Sequence, residues 1–202
     1  YAGIGNHHTP DSDDSRGADI SIINNSFSGL RSYAVYAYGF DNVEASGKYA
    51  DGCSGFLVAS DSSGVTVCDN YFDRGDNTDL LRNAVEFINA GADSSISGNT
   101  LKGAYYAGIV LRNCTESVTI TDNTVEGSGS HGIYAADGSI AEVSQNTIDS
   151  VGASAIYVND HSYVSAKSNV IKSPAKTGIR IDENSTVSAR ENILSLTGEY
   201  GI

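Results

Sequence analysis

Methionine and tryptophan are both missing from the 202 residues, and proline occurs only twice. So little proline excludes a Pro-rich disordered chain, and 22 glycines without a three-residue period exclude a collagen-like one. No apolar run approaches the ~18 residues that span a membrane as a helix, so no membrane insertion is expected. Positive charge is scarce as well. Twelve Lys and Arg against 25 Asp and Glu leave a net charge of −13, which argues against nucleic acid as a partner. Three cysteines, Cys53, Cys68 and Cys114, do not make a disulfide framework, and buried free thiols are expected. What is present is a chain 40% apolar, long enough for one domain with a sizeable core, and carrying 12 tyrosines.

The dominant feature is repetition. Asn followed by a small or polar residue and then an apolar one recurs at Asn25, Asn70, Asn99, Asn123, Asn146, Asn169 and Asn192, with Lys48 standing in the same place between the first two. The intervals, Lys48 included, are 23, 22, 29, 24, 23, 23 and 23 residues. A second marker, a small residue followed by an apolar one, recurs at Gly3-Ile4, Ala34-Val35, Gly55-Phe56, Ala84-Val85 and Gly108-Ile109. It continues at Gly132-Ile133, Ala155-Ile156, Gly178-Ile179 and Gly201-Ile202. Two independent markers keeping one period define a solenoid.

The local period decides between strand and helix. Before each Asn the apolar residues lie five and three positions back, as in Ile20 and Ile22, Val65 and Val67, or Val118 and Ile120. That is the alternation of a strand with one buried face. The second marker continues in-out-in, as in Ile133-Tyr134-Ala135, and a third inward residue follows each Asn by two positions, as at Phe27, Phe72, Leu101 and Val125. Each ~23-residue turn should therefore carry three short strands, stacked on the next turn at about 4.8 Å. In such a stack the Asn residues form a ladder, each bonding its neighbours through the side-chain amide while tolerating a left-handed backbone.

These Asn-x-Val/Ile/Leu and Gly/Ala-Val/Ile repeats, over nearly the whole chain, resemble the right-handed parallel β-helix of pectin-lyase-like proteins. The resemblance implies an all-β, right-handed parallel β-helix of about eight turns in one domain, residues 1–202. Both ends fall inside a turn without a polar cap. The expected reading is a segment of a longer solenoid, with end-to-end self-association of copies as the alternative.

Function in a solenoid comes from outward columns or inserted loops. Two insertions exceed the minimal turn, Asn6–Asp19 and Asp73–Asn83. The first packs His7, His8, Asp11 and Asp13 together and could hold a cation. Asp11, Asp13 and Ser15 are spaced like the start of a Ca2+ loop, although Gly17 comes one residue late. A solvated acidic loop is the competing reading, and beyond this Ca2+ ion no cofactor is expected. The second contains Arg74-Gly75-Asp76, read as an ordinary turn. On the outward face of the second-marker strands, one expected column runs Tyr36, Leu57, Glu86, Val110, Tyr134, Tyr157 and Arg180. Its neighbour holds Tyr38, Ala59, Arg112, Asn159 and Asp182, with His131 at the turn entering the Tyr134 strand.

Tyrosine rings present flat apolar area with a polar edge, and Arg can clamp a carboxylate. The columns therefore suggest a shallow groove for an extended polysaccharide, with Tyr36, Tyr38, Asp41, Tyr157 and Arg180 contacting it. Were the groove catalytic, Glu86, Arg112, His131 and Tyr134 are the candidates. Arg would neutralise a uronate carboxylate, and His and Tyr would move the proton. Residues Tyr33–Glu44 also resemble the catalytic strand of mannuronan C5-epimerases. Tyr38, Gly39, Phe40, Asp41 and Glu44 match that motif, while its His falls on Val43, its Pro on Asn42, and a further Asp on Ala59. The pectin-lyase-like resemblance implies an extracellular or cell-surface protein that contacts carbohydrate, as a lyase, epimerase, hydrolase or binding module. The alternative is a non-catalytic stalk or adhesin segment, supported by the short, regular turns from Leu101 onward.

Overall fold

The computed structural model describes residues 4–7, 19–195 and 198–202, with side chains from residue 19 onward. The described chain forms a solenoid of three parallel eight-stranded sheets and no helix. The first sheet stacks Ile4–His7, Tyr33–Tyr38, Gly55–Ser60, Val85–Ile88, Ile109–Arg112, Ile133–Ala136, Ser154–Val158 and Thr177–Ile181. The second stacks Ile20–Ile23, Val43–Ser46, Thr66–Cys68, Ser95–Ser97, Val118–Thr121, Ile140–Ser144, Tyr163–Lys167 and Thr186–Arg190. The third stacks Ser26–Ser28, Tyr49–Asp51, Tyr71–Asp73, Thr100–Lys102, Thr124–Glu126, Thr147–Asp149, Val170–Lys172 and Ile193–Ser195. Eight turns of three strands are what the two sequence markers call for.

The interior is a column of side chains, because alternate residues of every strand point to the axis. Phe56, Leu57, Phe72, Phe87, Ile96, Leu101, Leu111 and Ile120 are all fully buried in one continuous core. Each turn buries only a few of them. The stack, not the single turn, removes the apolar surface from water.

The Asn ladder runs unbroken from Asn70 to Asn192. Asn123 is typical: its Nδ2 donates to Ile96 O at 2.9 Å and to Asn146 Oδ1 at 3.0 Å, and its Oδ1 accepts from the backbone N and Nδ2 of Asn99 at 3.0 and 2.9 Å. One expectation is corrected. The left-handed residue is the one before each ladder Asn (Asp69 at φ 54°, Gly98 at 65°, Asp122 at 55°, Gln145 at 58°), not the Asn itself. The preceding residue turns the chain, which frees the Asn to point inward into the stack.

The small residue of the second marker also has a steric cause. A Cβ added to Gly132 would lie 2.4 Å from Ile148 Cγ2 and 2.6 Å from Ala155 O, a backbone atom of the next turn. Substituting Gly132→Ala should therefore destabilise the protein by about 1–3 kcal/mol, read by urea denaturation.

Candidate functional site

Register fixes which side chains share the outer face of the first sheet. Tyr36 pairs with Val58, Val58 with Glu86, and the column continues through Val110, Tyr134, Tyr157 and Arg180. The neighbouring column runs Tyr38, Ser60, Ile88, Arg112 and Ala136. Leu57 and Ala59, expected outside, are fully buried. The reason is that Gly55 pairs with Tyr33, not Ala34, so this strand begins one residue earlier than its Gly-Phe marker suggests. A one-residue slip reverses the facing of every side chain in a strand.

Arg112 is the hub of the face. Its Nε lies 3.4 Å from Glu86 Oε1, its Nη1 3.6 Å from Asp137 Oδ2, and its guanidinium 5.5 Å from the centre of the Tyr134 ring. Glu86 is further held by two donors on Oε2: the Tyr33 hydroxyl at 2.8 Å and Asn83 Nδ2 at 3.0 Å. Asn83 in turn accepts the Ala107 N–H at 3.2 Å, which ties the second insertion to the following turn. Burial, reinforced by the Glu86 carboxylate, pushes the Tyr33 phenol far above its ordinary value, so it stays a proton donor.

Beyond Arg112 the aromatic residues stack along the solenoid axis. The Tyr134 and Tyr157 rings are parallel at 5.0 Å, and His131 packs against them at 5.6 and 4.7 Å. Arg180 covers the far side, 5.0 Å from the Tyr157 ring centre. The row is thus Arg112, Tyr134, Tyr157, Arg180, a two-ring stack with a cation at each end, each cation worth about 0.5–1 kcal/mol at such a site. Asp182 closes it, accepting from the Tyr157 hydroxyl at 3.0 Å and from Arg180 Nη2 at 2.6 Å. Partial burial, with that carboxylate, raises the Tyr157 phenol to about 12. Burial holds His131 below its ordinary value, opposed by a backbone hydrogen bond at Ser154 and aided by the positive Arg180 and Lys176. The Ser154 N–H points at its Nδ1 at 3.4 Å.

Stacking has a chemical consequence. The tyrosine faces are covered by each other and by the guanidiniums, so the face offers ring edges, hydroxyls and N–H groups rather than an open aromatic plane. Beside the stack is a depression of about 270 Å³ between Tyr106 on one side and His131 and Tyr134 on the other. Val110 forms its floor, and Asn83, Arg112 and Ser130 supply its polar groups.

Of the residues singled out from the sequence, the structure therefore gathers Glu86, Arg112, His131, Tyr134, Tyr157 and Arg180. It does not bring Tyr36, Tyr38 and Asp41 to them. Tyr36 is two strands, roughly 10 Å, from Glu86 with Val58 between. Asp41 lies beyond the end of its strand, in the corner, where it bridges to Ser63. Of the proposed cation ligands, His7 is described only as a strand position opposite Tyr38, and His8, Asp11 and Asp13 lie outside the described residues.

Sequence reasoning missed Tyr33, Asn83, Tyr106 and Asp137. Asn83 was within reach, since it ends the second insertion. That loop is pinned by the Arg31–Asp79 ion pair at 3.1 Å and by Asn77 Nδ2 donating to Leu30 O at 3.2 Å. The Arg74-Gly75-Asp76 tripeptide is an ordinary turn as expected, with Asp73 Oδ1 accepting the Gly75 N–H at 2.8 Å.

Fold and face together define a parallel β-solenoid with a polar, aromatic-rich depression on an outer sheet. Residues 18–196 match the model of the NosD family, described as periplasmic copper-binding protein. The chain belongs to the NosD family, one of right-handed parallel β-helices, consistent with the pectin-lyase-like resemblance. Comparison with curated proteins and with solved structures returned no match.

Proposed function

We propose that this protein is an extracytoplasmic β-helix that binds an extended carbohydrate on the outer face of its first sheet. The observation that carries the reading is the depression beside the Tyr134–Tyr157 stack, where Arg112, Asn83, His131 and tyrosine edges converge over an apolar floor. Its volume of about 270 Å³ suits one sugar ring, and donors arranged around an apolar floor match the hydroxyl rim and C–H face of such a ring. Glu86 and Asp137 hold Arg112 in place, and Tyr33 and Asn83 hold Glu86, so the donors are set before a ligand arrives. The family's periplasmic description supports placement outside the cytoplasm. No described helix is long and apolar enough to cross a membrane.

The same description raises copper. Copper is held by soft thiolate and thioether ligands or by imidazoles, and the described residues do not fit it. No group of three His, Cys, Asp or Glu converges among them. Cys53 and Cys114 are buried in different turns, Cys68 is half-buried in another, and burial pushes all three thiols up. Methionine is absent from the chain.

The test is retention on immobilised acidic and neutral polysaccharides, comparing the wild type with the Arg112→Ala/Tyr134→Ala double variant. Both side chains lie on the outer face, so circular dichroism should change little, while melting falls modestly as the Arg112 ion pairs and the Tyr134 ring contacts are lost. Retention on the best-bound glycan should fall at least tenfold, as expected when a charge-assisted contact and an aromatic contact are lost together. Unchanged retention would refute the reading.

A further inference from the structure

Leu80 and Leu81 are neighbours in the second insertion, 41% and 43% exposed, on a stretch of chain that is firmly anchored. Asn77 Nδ2 donates to Gly52 O and Leu30 O, and Asn77 Oδ1 accepts from the Asp79 N–H at 2.9 Å and from Ser54 Oγ at 3.0 Å. Tyr105 and Tyr106, also exposed, adjoin the leucines, because Leu81 precedes Arg82, whose carbonyl accepts the Tyr106 N–H at 3.4 Å. Away from the first and last described turns, exposed large apolar side chains gather only here among the described residues. Tyr49 and Tyr163 stand apart on the other two sheets. A gathered apolar patch marks a contact surface, and one that is already ordered loses little freedom on binding.

Charge selects the occupant. Two copies of a chain of net charge −13 repel each other, so they meet most readily where the charge is locally balanced. The insertion is such a place: Arg74 and Arg82, with the adjoining Arg31, balance Asp73, Asp76 and Asp79. The run Asp79-Leu80-Leu81-Arg82 is also its own complement when read backwards. Two copies set antiparallel about an axis between Leu80 and Leu81 bring Leu80 of one against Leu81 of the other, and Asp79 of one against Arg82 of the other. Both charges can take such a partner. The Arg31 ion pair uses Asp79 Oδ1, which leaves Oδ2, and Arg82 makes no ion pair among the described residues.

From these observations we infer that the second insertion is a two-fold contact through which two copies of this chain pair side by side. In such a contact every interaction is made twice, and it closes at two copies. It thereby differs from the end-to-end association that the sequence offers as an alternative, and it does not depend on the carbohydrate reading.

Sedimentation equilibrium at low salt tests this. The wild-type mass should rise with concentration from 21.1 kDa towards twice that value and no further. Leu80→Ser/Leu81→Ser should weaken pairing about a hundredfold or more, each leucine counting twice, with melting little changed because both side chains are exposed. Asp79→Arg and Arg82→Asp should each remain monomeric alone, since each sets like charges opposite one another. Mixed together they should form a dimer, and the Asp79→Arg/Arg82→Asp double variant should pair with itself. A wild-type mass that stays at 21.1 kDa up to about 1 mM overturns the inference. So does a dimer that survives the serine substitutions, or a mass that grows past two copies, since either places the contact elsewhere. Recovery in neither the mixture nor the double variant overturns the pairing of Asp79 with Arg82.

Discussion

Asn123→Ala should destabilise the protein by about 3–5 kcal/mol, more than any single substitution on the outer face. The side chain is 1% exposed and engages the turns on both sides of it. Removing it leaves Ile96 O without the Asn123 donor, and the backbone N–H of Asn99 without its Oδ1 acceptor. Each buried group left unsatisfied costs about 1–3 kcal/mol, and the space vacated adds a cavity term. Asn99 Nδ2 keeps Val67 O at 2.9 Å, so the ladder is cut at one rung rather than dismantled. Urea denaturation is the measurement. A loss under 1 kcal/mol would mean that water can enter and replace the amide, and that the stack is held by its apolar column alone.

Lys48 gives the second large effect, one that depends on pH. It occupies the ladder position of the second turn and is 2% exposed, with its ammonium donating to Ile22 O and, at 3.3 Å, to Ser46 O. Its amine thus takes over the role that Nδ2 plays in the rungs from Asn70 onward, such as Asn70 Nδ2 to Ala45 O. Burial lowers its pKa from 10.5 to about 8, against the opposing pull of the Glu44 carboxylate and the Cys68 thiol. Between those two values the unfolded chain binds the proton more tightly than the folded one, so the Lys48 contribution to stability rises with pH across that window. Below about pH 8 the full cost is present, at most about 3 kcal/mol.

Lys48→Asn should remove that cost. The difference in unfolding free energy between variant and wild type should shift by up to about 3 kcal/mol in the variant's disfavour between pH 7 and pH 10.5. Raised phenol and thiol pKa values at Tyr33, Tyr157, Cys53 and Cys114 work in the opposite direction as the pH rises, but they are common to both proteins and cancel in the difference. Cys68 does not cancel, because Lys48 lowers its thiol, and losing that charge adds to the shift in the variant's disfavour. Any cavity left by the shorter side chain is independent of pH. A difference that does not move with pH would show that the ammonium reaches water.

Legibility differed between fold and site. The repeat of Asn25 to Asn192 and the marker residues such as Gly132-Ile133 carried strand number, stacking and the inward columns, because a repeating backbone imposes one steric and hydrogen-bonding demand every turn. The face was partly legible: Glu86, Arg112, His131, Tyr134, Tyr157 and Arg180 could be placed on it by counting. The count failed at Gly55, where one residue of slip exchanged Leu57 for Val58, and it could not reveal Tyr33 under Glu86. Nor does counting say that aromatic rings two positions past a marker lie parallel, with their faces covered by arginines.

Alternation and period alone therefore determined that this chain is a three-sheet parallel solenoid with an amide ladder, since each follows from what an isolated turn must bury and bond. Tertiary structure decided where a ligand can sit. Asn83 comes from an insertion whose course is set by distant anchors at Arg31 and Leu30. The depression beside Tyr134 exists only where that insertion meets two later turns. Contacts between residues tens of positions apart leave no period in the sequence, and their geometry arises only when the turns are stacked.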